Sequence, residues 1–114
     1  MRCWHGLADA LLELERELRA LELWSAQAPA PAALASSEPF CVDTLAFELW
    51  LQWVFLPRMA QIIESDGLVP PGCHIQPMGE EAFAHLGRRG HGLLAVLGRI
   101  DRQAARLAAG AGSR

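Results

Sequence analysis

Thiols and imidazoles come first, because either can hold a metal or act as a nucleophile. Cys73 and His74 are adjacent, His85 and His91 lie downstream, and Cys3 and His5 sit near the N-terminus. None has the paired spacing of a zinc site, and neighbouring residues rarely serve one ion. No metal or cofactor is expected. Glu80 and Glu81 offer paired carboxylates for acid–base work. Consecutive helical residues point about 100° apart, however, and acids near a helix start complement its dipole. Ser25, Ser36, Ser37 and Ser65 lack a glycine elbow, and no Cys–His pair has a third orienting group. A phosphate-binding glycine loop is also missing. The pattern points to a non-enzymatic protein with no small-molecule ligand.

Charge suggests a second chemistry. All ten basic residues are arginine, and up to His85 there are twelve acids against four arginines. From Leu86 onward there are six arginines and one acid, Asp101. Arg88, Arg89, Arg99, Arg102 and Arg106 could together meet tRNA or other RNA phosphates. No aromatics interleave them, so a solvated face complementing the acidic body is the plainer reading. Four residues of the central stretch remain as a candidate interaction surface with Glu48, namely Trp50, Gln52, Trp53 and Arg58. The tryptophans suit core knobs or interface anchors. Arg58, set among apolar neighbours, either needs a buried acid (Glu48, Asp43 or Glu81) or lines a docking groove.

The elements that position these residues are helices. With 52% apolar and 20% charged residues, the chain is not disordered. It reads as a single domain over 1–114, with 1–3 and 109–114 frayed. Trp4, Leu7, Leu11, Leu14, Leu18 and Leu21 form a seam, a bundle helix or a homodimer stripe. Residues 25–39 carry three prolines and make a crossing loop, with one helical turn available at Ala32–Ser36. The run 43–64 is apolar on nearly every side and reads as the centre of the fold. Asp43 is its expected cap, Val42 and Phe47 its staple. Thr44, Glu48 and Gln52 form a wet edge, and Pro57 is expected to kink it. Gly67 is the expected left-handed terminator. A short third helix spans Pro77–Leu86, stopped by Gly87. The last helix turns Leu93, Val96, Leu97, Ile100, Ala104 and Leu107 inward. No run reaches the ~18–20 apolar residues of a membrane span, and no signal peptide is evident. Three isolated cysteines suit a reducing cytoplasm.

Pro39-Phe40, Val42-Asp43-Thr44, the run from Trp50 to Met59 (WLQWVFLPRM), and Ile75-x-Pro77-Met78-x-Glu80-Glu81 resemble the YqcC family of small bacterial helical proteins. The resemblance implies an all-α four-helix bundle and an association with tRNA pseudouridine modification. Leu49, Gly79 and the basic link Gly87–Gly90 depart from its pattern; Gly79 should weaken the third helix. The G-R-L-D-type motif of pseudouridine synthases is absent, and Asp9, Asp43, Asp66 and Asp101 are the only aspartates. The expectation is an interaction or accessory protein that binds another protein or itself. An RNA-contacting module is the alternative, and synthase activity of its own the least favoured reading.

Overall fold

The computed structural model describes residues 4–38, 40, 45–70 and 72–112, with side chains to residue 108. All regular structure among them is helical. Helix α1 (His5–Ala20) turns its seam inward: Leu7, Leu11, Leu14 and Leu18 are buried. The seam packs chiefly on the last helix of the same chain, so it is already used within the fold. The helix ends in a Schellman motif. The Glu22 N–H reaches the Arg19 carbonyl at 3.1 Å and the Leu23 N–H reaches Leu18 at 2.8 Å, with Glu22 at φ 61°. Within the crossing loop, Pro31 opens a single turn, α2 (Pro31–Leu34).

The central run begins at Phe47, after an extended Ala46. Val42, Asp43 and Thr44, the expected staple partner, cap and stripe member, lie outside the described residues. Three pieces follow one another without a gap: α3 (Phe47–Trp50), a π-helical segment (Leu51–Phe55) and α4 (Leu56–Glu64). Pro57 explains the middle piece. It lacks an N–H, and its ring would strike the carbonyl four residues back in α geometry. The Leu56 N–H instead bonds the Leu51 carbonyl, five residues back, so the helix widens one turn before the proline. At its end the left-handed residue is Asp66 (φ 50°), not Gly67. The Asp66 and Gly67 N–H groups close the motif on Ile63 at 3.2 Å and Ile62 at 2.9 Å.

The third helix is shifted and split. Helix α5 (Ile75–Ala82) is followed by 3₁₀ turns (Ala84–Gly90) that Gly87 breaks at φ 55°, ψ −131°. Helix α6 spans His91–Gly112. Its six expected inward residues are all buried, and it packs on both α1 and α5. Gly79 sits in the α5–α6 contact. A Cβ there would collide with Leu97 Cδ1, and Leu97 is fully buried. The residue that propensity marks as a weak point is therefore what lets the two helices touch. Gly79→Ala should lower stability by about 1–3 kcal/mol despite its better helix propensity. Urea denaturation would measure it, and an unchanged midpoint would refute the close approach.

The core centre differs from the expected one. Phe47, Trp50 and Phe55 join Phe40 and Phe83 in an aromatic cluster, with Phe47 and Trp50 stacked at 5.7 Å. Beyond Pro57 the enclosure fails. Of the nine residues of α4 only Met59 is buried, while Leu56, Ile62 and Ile63 keep part of their surface. The largest fully buried side chains include Leu7, Leu14 and Leu18 of α1 and Leu93, Leu97 and Ile100 of α6, against Leu51 from the central run. No helix among the described residues is long and apolar enough to cross a membrane.

Candidate functional site

The incomplete cover of α4 leaves an open groove of about 780 Å³ between α1 and the central run. Ala8, Leu11 and Leu12 form one wall; Trp53, Leu56, Pro57, Ala60 and Ile63 form the other. Trp24 and Ala26, from the segment after α1, close one end. Leu12 is 64% exposed, a large apolar side chain left in water at the rim. Its register on α1 is offset from the buried seam, so no neighbouring helix covers it. Among the described residues, the charged side chains lining the groove are two carboxylates, Glu15 and Glu64.

Gln52 holds the groove's end together. Its Nε2 donates to the Ser25 carbonyl at 2.7 Å, and its Oε1 accepts the Ser25 N–H at 2.8 Å. One amide thus satisfies both backbone groups of Ser25, as a neighbouring strand would, and fastens the post-α1 segment to the π turn. Gln52 is 6% exposed, so the expected wet edge is dry at this position. Glu48, one turn earlier, is half-buried. Arg19 bonds Glu15 at 2.8 Å and lies 4.6 Å from the Trp24 ring centre, which fixes the rim beside the clasp. Trp53 carries a buried indole N–H with no acceptor among the described residues. A donor left so costs about 1–3 kcal/mol, and native proteins leave few of them.

The other candidate residues separate. Trp50, 8% exposed in the aromatic cluster, is a core residue rather than part of a surface. Arg58 is exposed, lines a smaller cavity of about 170 Å³ with Phe55 and Met59, and pairs with no acid among the described residues. Neither Glu48 nor Glu81 forms the ion pair expected of it, and Asp43, the third candidate acid, lies outside the described residues. Of the five residues grouped from sequence, Gln52 and Trp53 meet at the groove. Of the five arginines, Arg88, Arg89, Arg102 and Arg106 are exposed, whereas Arg99 bonds Glu13 of α1 at 2.6 Å.

One polar constellation had no sequence signal. Asp101, on α6, accepts the Ile75 N–H on Oδ1 and the Gln76 N–H on Oδ2, both at 2.9 Å. A carboxylate from another helix thereby caps the N-terminus of α5. The Cys73 thiol donates to the same Oδ1 at 3.4 Å. Burial pushes this thiol up to about 12, with the Asp101 charge and hydrogen bond adding to the shift. The thiolate is the reactive form, so Cys73 should alkylate far more slowly at pH 8 than the same residue in the unfolded chain. Peptide mapping after iodoacetamide would check this; equal labelling would contradict it. A pKa raised above the thiol's ordinary 9.0 also means that stability falls as pH climbs from about 9 towards 12. No three His, Cys, Asp or Glu side chains gather as a metal site among the described residues.

Known proteins resemble this chain along most of its length. A family model described as tRNA pseudouridine synthase C matches residues 6–103. An uncharacterised protein of Haemophilus influenzae is 44% identical over 73 residues, 64% of this chain and 69% of that protein. A tRNA pseudouridine synthase C of Pectobacterium carotovorum is 44% identical over 62 residues, 54% of this chain. The match spans only 16% of that protein's length. The solution structure of YqcC from Escherichia coli superposes with a TM-score of 0.78 at 31% identity, over 89% of this chain and 86% of that one. An all-helical chain matched at this level, over both sequence and structure, belongs to the YqcC family.

Proposed function

We propose that the chain is a non-enzymatic, cytoplasmic accessory protein, a four-helix bundle with residues 25–39 as its crossing loop, that docks onto another protein through the α1–α4 groove. The observation that carries this reading is the groove itself. Its walls are apolar, Leu12 stands 64% exposed on its rim, and Trp53, whose buried indole N–H finds no acceptor among the described residues, lines it. Exposed apolar area of this kind costs solubility unless a partner covers it. A tRNA pseudouridine synthase C in which a related stretch is a small part of a longer chain supports an association with tRNA modification. Synthase chemistry in this chain itself is disfavoured, because Asp101 is engaged as a helix cap and Asp66 accepts the Trp4 indole N–H at 2.7 Å.

RNA contact is the second reading, favoured by Arg102 and Arg106, exposed four residues apart on α6. Affinity capture from the native host separates the two. Leu12→Asp should abolish protein capture, whereas an Arg88/Arg89/Arg102/Arg106→Ala variant should leave it intact. Loss of salt-sensitive tRNA retention in the arginine variant, with protein capture indifferent to Leu12→Asp, would overturn the docking reading.

A further inference from the structure

We infer that the groove takes a basic amphipathic helix of a partner protein, with a lysine or arginine of that helix against Glu64. This deepens the docking reading above and rests on it. Two helical walls set the shape. From Gln52 to Glu64 the longer wall runs roughly 18 Å, the length of about three helical turns, and a helix laid there meets it with apolar residues at i, i+3 or i+4 and i+7. The sign of the charge comes from what the chain leaves unmatched. Glu15 is tied to Arg19, but Glu64 is exposed and has no partner among the described residues. It stands in the last turn of α4, which holds no basic residue, so the negative end of that helix dipole meets another negative charge. Asp66 adds a carboxylate just beyond it. A cation supplied from outside resolves this pole, whereas an acidic helix or a phosphate backbone aggravates it.

A display library lets the groove choose its ligand. Helices of about fifteen residues, with a fixed leucine stripe and randomised flanks, are panned on the full chain. Recovered peptides are then titrated against the wild type, Glu64→Lys, Leu12→Asp and Ala60→Arg. All three sites are exposed, and circular dichroism verifies that the variants remain folded. Enrichment of Lys or Arg at one end is expected, with Kd about fivefold to tenfold weaker for Glu64→Lys and binding lost in the two groove variants. Neutral or acidic peptides, or peptides indifferent to Glu64→Lys, would overturn the charge assignment while leaving the docking reading standing. Peptides indifferent to Leu12→Asp and Ala60→Arg, or no enrichment at all, would overturn both. A concentration-dependent dimer in sedimentation that Leu12→Asp dissolves would assign the groove to a second copy and overturn the partner-helix inference.

Discussion

Replacing Asp101 with alanine is expected to lower stability by about 2–4 kcal/mol, a large fraction of what a domain of this size has. Both carboxylate oxygens are engaged, each on a backbone N–H of the first turn of α5. Removing them leaves two half-buried donors at the positive end of a helix with no capping side chain of its own. Asp101→Asn is the sharper probe. Its amide keeps one acceptor but points an NH₂ at the other N–H, so an intermediate loss of about 1–2 kcal/mol is expected. It also removes the charge beside Cys73, and the thiol should become easier to ionise. Chemical denaturation and thiol labelling should therefore move together. A variant that labels faster at unchanged stability would mean that the two backbone bonds contribute nothing.

The two tryptophans should part company just as clearly. Trp50→Ala is expected to cost about 3–5 kcal/mol, because it opens a cavity among the rings of Phe40, Phe47 and Phe55. Trp53→Phe should stay within about 1 kcal/mol of the wild type, since the lost area is offset by removal of the unpaired indole N–H. Partner binding should show the reverse order, weakened by Trp53→Phe even where stability is not. Guanidinium melts of both variants would decide the first half. A Trp53→Phe variant as unstable as Trp50→Ala would make Trp53 another core residue and remove it from the case for the groove.

How much of this was legible in the sequence depends on how far apart the partners stand. Seams in α1 and α6 are local periodicities, and their buried residues follow from spacing alone. The turn at Pro31 and the irregularity before Pro57 likewise follow from a missing N–H and a rigid ring. The Gln52 clasp on Ser25 and the Asp101 cap on α5 were not legible. Each joins residues 25–27 positions apart, and each depends on which helices come to lie side by side. Gly79 shows the same limit from the other side. Propensity sees only its own helix, while its use is the approach of Leu97. The central run misleads because apolar residues on nearly every side imply burial all round. Past Pro57 the fold supplies too little to cover them, and what is left uncovered became the candidate site.

The central claim is that this uncovered face is where another protein sits. A photo-crosslinking side chain at Leu12, on the groove rim, tests it directly against one at Leu68, which is 72% exposed and does not line the groove. With both variants expressed in the native host and irradiated, Leu12 is expected to give a discrete protein adduct that disappears when Ala60→Arg fills the groove, and Leu68 to give none. Equal adducts from both positions, or RNA adducts alone, would contradict the account.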